Sequence, residues 1–163
     1  MLRRVEPGPG QESVWDYPRP PRLEVTSKRL RVLFAGVVVA DTVAGYRILE
    51  TSHPPTYYIP QSDILMQYLV PSPRRTFCEY KGEAHYWTVA VHGKSFPEAA
   101  WSYPQPNPAY LPIKDHLAFY ASRAEACYVD EEKVVAQAGD FYGGWITQDI
   151  VGPFKGAAGT WGW

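Results

Sequence analysis

The stretch that most directly indicates the fold runs from residue 76 to residue 91 and reads TFCEYKGEAHYWTVAV. Residues 76–80 and 84–91 are rich in aromatic and β-branched side chains, which favour the pleated surface of a strand. Between them, Lys81 and Gly82 form a turn signal, since glycine adopts a positive φ without steric cost. The pattern predicts an antiparallel hairpin with Lys81 at its tip.

Proline and glycine punctuate the rest of the chain, with 16 and 13 copies spread over 163 residues. Because helix interiors tolerate neither residue well, only short elements fit between them. The twelve tyrosines and six tryptophans also suit strands better than helices. We therefore predict a mainly all-β fold with little helix.

The same punctuation predicts three regions: an extended N-terminal arm (1–28), a single β domain (29–138) and a C-terminal tail (139–163). Trp15 and Tyr17 suggest that part of the arm docks on the domain. The tail carries seven glycines among aromatic residues and is too aromatic for a free linker. We expect it to pack on its own domain or on a partner subunit, which in the second case makes a homodimer through residues 139–163.

Charge and hydropathy exclude two classes of partner. A formal net charge of −1 gives no electrostatic reason to bind nucleic acid, because neutralising phosphates requires a basic excess. The longest apolar run, residues 37–40, is far short of the roughly 20 residues that span a bilayer. The two cysteines lie far apart in a chain without an export signal, so we expect free thiols and a cytoplasmic location.

Neither a metal site nor a cofactor is expected. Metal sites in proteins need three or four convergent ligands, and only Cys78 and His85 come near a suitable spacing. Catalytic residues are likewise not identified by any motif.

A ligand site is nonetheless predicted around the Lys81 turn. Tryptophan and tyrosine supply rigid walls with a polar tip, which suits a pocket for a planar or cationic small molecule. Lys81 could hold an anionic group, and His53 is fixed in an extended conformation by the proline that follows it. The residues of this candidate site are Glu50, His53, Tyr58, Lys81, Glu83, Trp87, Trp101 and Tyr103.

The leading hypothesis is a module that binds an unidentified small molecule, and three alternatives stay open. The aromatic residues could simply form the core, although adjacent residues such as Tyr57 and Tyr58 must point to opposite faces of a strand. The protein could be an enzyme that uses Lys81 or Cys78 as a reactive group, if the pKa of either is lowered. It could also be a scaffold that assembles through residues 139–163.

Several segments resemble, in order, a bacterial family numbered 427 among the domains of unknown function. The resemblance covers roughly residues 29–133, and the segments are ETSHPP (50–55), YYIP (57–60), CEYKGEAHYW (78–87) and AWSYP (100–104). The tail segments FYGGW (141–145) and GPFKG (152–156) are similar to a longer subgroup.

The resemblance implies a compact arrangement of two antiparallel sheets, a sandwich or barrel related to the β-tent fold. Relatives of that fold often carry a structural zinc on two Cys-x-x-Cys knuckles, which this sequence lacks. The family also carries a nucleotidyltransferase-like label. That chemistry implies a Gly-Ser followed by Asp-x-Asp to hold magnesium, and neither occurs in the sequence.

Overall fold

Short β-strands make up most of the regular structure in residues 3–139 and 141–163, the part of the chain that this computed structural model describes. The strands are β1 (Glu12–Ser13), β2 (Arg22–Thr26), β3 (Leu30–Phe34), β4 (Val37–Thr42), β5 (Gly45–Leu49), β6 (Thr56–Tyr58), β7 (Leu69–Cys78), β8 (Gly82–Val91), β9 (Lys94–Ser102), β10 (Leu117–Phe119), β11 (Ala126–Val129), β12 (Glu132–Lys133), β13 (Val135–Ala136), β14 (Trp145–Ile146) and β15 (Ile150–Val151). The helical segments are short 3-10 turns at Val14–Asp16, Gln61–Asp63, Met66–Tyr68 and Pro108–Ile113.

The larger layer is built on the antiparallel order β10-β9-β8-β7. A second group of strands, in the order β2-β5-β6, continues this layer. The two groups join where Ile59 and Leu117 exchange backbone hydrogen bonds of 2.8 and 2.9 Å.

The second layer is the four-stranded antiparallel sheet β12-β11-β3-β4. Its buried side chains, such as Val32 and Phe34, pack against Val89 and Phe119 of the first layer in the main hydrophobic core. The prediction of a mainly all-β fold of antiparallel sheets is therefore confirmed, and the arrangement is that of a sandwich. In addition to these layers, β1 pairs with β15 in parallel and β13 pairs with β14 in antiparallel orientation.

The predicted hairpin consists of β7 and β8, whose terminal pair is Cys78 opposite Gly82. Lys81 lies in the turn between them, as the sequence indicated. Gly82 has a φ of +111°, and a Cβ there would lie 3.3 Å from the carbonyl oxygen of Gln105. A side chain at this position would therefore be strained and would crowd the neighbouring loop.

The segments flanking the predicted domain contribute to the same layers. Residues 22–26, inside the predicted arm, form β2 and pair with β5. From the tail, Trp145 is 1% exposed and its indole nitrogen donates a 2.9 Å hydrogen bond to the carbonyl of Phe119. The tail thus packs on its own chain, while a homodimer through residues 139–163 stays a prediction. Met1, Leu2 and Asp140 of these two predicted segments lie outside the described residues.

Within residues 3–139 and 141–163, no helix has the length and apolar character needed to cross a membrane.

The docking of Trp145 can be tested by truncation. We expect Trp145→Ala to lower the free energy of unfolding by about 3–5 kcal/mol, because it leaves a cavity in the core. Trp161, 75% exposed, is the matched control, and Trp161→Ala should change stability by less than about 0.5 kcal/mol. Urea unfolding measures both, and equal losses would contradict the placement of the tail.

Candidate functional site

The site begins with the register of three neighbouring strands, β8, β9 and β10. Tyr86 lies opposite Trp101, and Trp101 lies opposite Ala118. The next row along the strands consists of Trp87, Ala100 and Phe119. Because successive side chains of a strand alternate between faces, the two rows point to opposite sides of the sheet. The row with Trp87 faces the main core, and the row with Trp101 faces a second cluster.

A cavity of about 260 Å³ opens on the second face. It lies where the tip of the β7–β8 hairpin, the segment before β6 and the C-terminal tail meet. Its walls combine aromatic rings with a few polar and charged side chains. The lining residues are Glu50, His53, Thr56, Tyr58, Thr76, Phe77, Cys78, Glu79, Tyr80, Lys81, Tyr86, Trp101, Tyr103, Tyr120, Phe141, Tyr142 and Lys155.

The aromatic walls are fixed by contacts among themselves. The indole of Trp101 packs against the ring of Tyr120, with centroids 4.6 Å apart, and against Tyr58 at 6.3 Å. Its indole nitrogen donates a 3.3 Å hydrogen bond to the hydroxyl of Tyr58. Tyr103 packs at 6.3 Å from Tyr58 on the same side. These rings are at most 5% exposed and form rigid surfaces at the cavity.

The tail closes one side of the cavity. Gly143, with a φ of +74°, lies so close to Trp101 that a Cβ would come within 2.5 Å of the indole ring. The hydroxyl of Tyr120 donates a 2.8 Å hydrogen bond to the carbonyl of Phe141. Only glycine allows this approach of the tail backbone to the ring, so the Gly143–Trp101 contact fixes where Tyr142 and the residues beyond it lie.

Lys81 is held at the cavity through its backbone. The Asn107 N–H donates a 2.9 Å hydrogen bond to the Lys81 carbonyl, and the Asn107 side chain donates one of 2.7 Å to the carbonyl of Tyr80. These bonds pin the hairpin tip to the loop before Pro108. The Lys81 ammonium nitrogen lies 5.9 Å from the centre of the Tyr103 ring.

The lysine is an ammonium ion at neutral pH. Burial by itself favours the neutral amine, but attraction by the ionised forms of Tyr58 and Cys78 outweighs it and raises the pKa of Lys81 above its ordinary value. Glu50 acts in the same direction. An amine nucleophile needs a lowered pKa, so the condition for a reactive Lys81 is not met.

Glu50 already has a cationic partner at the rim. Its carboxylate lies 3.3 Å from the guanidinium of Arg19 and 3.6 Å from Nε2 of His53. The other ring nitrogen of His53 is 3.4 Å from the side-chain nitrogen of Gln137, and the imidazole packs edge-on against Tyr142 at 4.8 Å. Glu50 therefore has Arg19 as its ion-pair partner, and it acts on Lys81 only from beyond ion-pair distance.

His53 is neutral in this setting. Burial, reinforced by the positive charges of Lys155 and Lys81, lowers the pKa of His53 to about 3. Glu50 is close enough to favour the charged ring, but desolvation together with the nearby cations outweighs one carboxylate that Arg19 already pairs.

Six of the eight predicted site residues meet at the cavity, and two lie elsewhere. The six are Glu50, His53, Tyr58, Lys81, Trp101 and Tyr103. Trp87 points to the opposite face because it follows Tyr86 in the strand, and its indole nitrogen donates to the hydroxyl of Ser102. Glu83 lies on the outer side of the hairpin, where its carboxylate is 2.9 Å from the imidazole of His85.

The tail and β6 supply lining residues that the sequence analysis missed. Lys155 and Tyr142 come from the tail, and the Lys155 ammonium lies 5.2 Å from the centre of the Tyr142 ring. Thr56 precedes Tyr58 by two residues and so points to the same face. That spacing could have identified Thr56, whereas nothing local in the sequence marks Lys155.

Cys78 also lines the cavity, but His85 does not accompany it. The register pairs Cys78 with Gly82 and His85 with Arg75, so the two are displaced along the hairpin. A thiol–imidazole pair is therefore not assembled. Within residues 3–139 and 141–163, no three His, Cys, Asp or Glu side chains are grouped to hold a metal ion.

Comparison with known proteins gives one result. Residues 22–130 match a family described as a domain of unknown function (DUF427). The matched region contains β2 through β11, and with them the hairpin and the aromatic strands of the cavity. No curated protein matches the chain.

The depressed pKa of His53 predicts a loss of stability in acid. As pH falls below about 6.5 the unfolded chain binds a proton on His53, while the folded chain stays neutral to about pH 3. Stability is therefore lost progressively across that window. Between pH 7 and pH 5 the wild type should lose about 2 kcal/mol more than His53→Gln. Urea unfolding at both pH values measures this, and parallel losses would contradict a neutral, buried His53.

The two thiols should differ in reactivity. Cys78 is partly exposed at the cavity, whereas Cys127 is 1% exposed and burial raises its pKa to about 12. Because the thiolate is the reactive form, we expect Ellman's reagent to modify the native protein at Cys78 only. The native Cys78→Ser variant should take up no reagent until it is unfolded. Uptake by that native variant would contradict the burial of Cys127.

Proposed function

The chain belongs to the DUF427 family, whose description gives no function, and we propose that it is a small-molecule-binding protein whose ligand lies in the cavity beside Lys81. One observation carries the proposal. The partly buried Lys81 ammonium has no carboxylate within 4 Å in the described part of the chain, and it faces aromatic walls. Its nitrogen is not among the fully buried polar atoms that lack a partner, so it is open to the cavity, where an anionic group of a ligand can replace water as its partner.

The size of the cavity limits the ligand. Its volume of about 260 Å³ is near the lower end of the roughly 300–1,000 Å³ typical of small-molecule sites. We therefore expect a compound with one ring and a short substituent. The flat faces of Trp101 and Tyr103 favour a planar ring.

A purely structural role for these aromatic side chains is the competing interpretation. The main core lies on the other face of the sheet and is filled without them. Moreover, the hydroxyl of Tyr103 makes no hydrogen bond to any residue in 3–139 or 141–163, although the residue is only 5% exposed. The hydroxyl oxygen is not one of the fully buried polar atoms without a partner, so it is open to the cavity, where a ligand can reach it.

The cytoplasm is the compartment in which we propose that the protein acts. Cys78 and Cys127 are free thiols, and their positions on different strands and faces leave them unpaired. Free thiols are typical of a reducing compartment.

A panel of one-ring compounds that are neutral, anionic or cationic tests the proposal. We expect at least one compound to raise Tm and to quench tryptophan fluorescence, because Trp101 forms a wall of the cavity. The Thr56→Phe variant places a ring in the cavity and should abolish both effects. Ser95→Phe, on the exposed part of β9, is the matched control and should leave them intact.

Two results would contradict the proposal. The first is a panel in which no compound shifts Tm. The second is a set of shifts that Thr56→Phe leaves unchanged, since binding would then lie outside the cavity.

A further inference from the structure

We propose that the ligand of the cavity is a planar monoanion, an aromatic carboxylate, whose negative group is held by the ammonium groups of Lys81 and Lys155. This inference rests on the proposed function and deepens it, because it assigns the charge and chemical class of the ligand. The cavity's charges and its free hydrogen-bond donors support it independently.

The charge balance at the cavity leaves two cations without partners. Lys81 comes from the hairpin tip and Lys155 from the tail, and both line the cavity. Neither ammonium has a carboxylate within 4 Å among the described residues. Each nitrogen lies near an aromatic ring, Lys81 at 5.9 Å from the centre of the Tyr103 ring and Lys155 at 5.2 Å from that of Tyr142. Such contacts leave the N–H donors of both ammonium groups available to an anion.

The two acidic residues that line the cavity, Glu50 and Glu79, do not form an ion pair with either lysine. Glu50 lies 3.3 Å from the Arg19 guanidinium, which is therefore its cationic partner. Glu79 is exposed at the rim and forms no ion pair with either lysine. The imidazole of His53, which both lysines influence, is neutral and adds no charge. An anion entering the cavity therefore meets two free positive charges.

The free hydrogen-bonding groups of the cavity are donors, which also suits an anionic ligand. The Tyr103 hydroxyl has no partner among the described residues, and the Tyr58 hydroxyl accepts from Trp101 but has no acceptor for its own proton there. Both hydroxyls can donate to a ligand. A carboxylate offers about four lone pairs and accepts from several donors at once, so it complements such a site better than an amide or a cation does.

Benzoate, benzamide and benzamidine have nearly the same shape but are an anion, a neutral molecule and a cation. Differences in their affinity therefore report which charge the cavity prefers. We expect calorimetric titration of the full chain to show benzoate binding at least about tenfold tighter than benzamide, with benzamidine weakest. Lys81→Met and Lys155→Met keep much of the apolar stem, and each should weaken benzoate binding about tenfold. Lys94→Met, at the exposed start of β9, is the matched control and should bind benzoate like the wild type.

Benzamide binding checks that the lysine variants keep an intact cavity, and it should not change in them. Equal binding of benzoate and benzamide would overturn the anion assignment while leaving the small-molecule cavity in place. Tighter binding of benzamidine would overturn it as well and would assign the site to Glu50 or Glu79. If none of the three binds while other compounds still respond to Thr56→Phe, the anion assignment alone falls.

Discussion

The structure depends on one constraint, the alternation of side chains along β8, β9 and β10. In this register Tyr86 and Trp101 lie on one face of the sheet, while Trp87 and Phe119 lie on the other. One set of large rings closes the main core against the second sheet. The other set is left to form a second aromatic surface, which the hairpin tip and the tail convert into a cavity. A slip of one residue would exchange the two sets and remove the cavity.

The electrostatics of the cavity follow from which charges find partners elsewhere. Arg19, from the N-terminal segment, forms the ion pair with Glu50, which acts on Lys81 only from a longer distance. Burial and the lysines keep His53 neutral. The consequence is a small volume with aromatic walls, two ammonium groups and free phenol donors. This combination supports the proposal of a planar anionic ligand, because several donors can bind one carboxylate at once.

Local signals account well for the parts that the sequence predicted. The Lys81-Gly82 turn predicted the hairpin because the backbone of Gly82 requires a glycine, and Tyr57 and Tyr58 point to opposite faces as any adjacent strand residues must. The sequence analysis assigned Trp87 to the site, whereas the structure places Tyr86 there. Which of the two lines the cavity depends on which face of β8 the second sheet covers. A single strand does not contain that information, because both residues are aromatic and either face could have been the core.

By itself the sequence determined the class of fold, the hairpin that carries Lys81 and the concentration of aromatic side chains near it. These follow from turn chemistry, the spread of proline and glycine, and the two-residue period of a strand. Only the tertiary structure decided which rings face the cavity and that Arg19 forms an ion pair with Glu50. It also placed Lys155 at the same cavity as Lys81, from which it is separated by 74 positions in the sequence. The reason is that pairing between distant strands and the docking of the tail against Trp101 are set by packing complementarity, which no local pattern records.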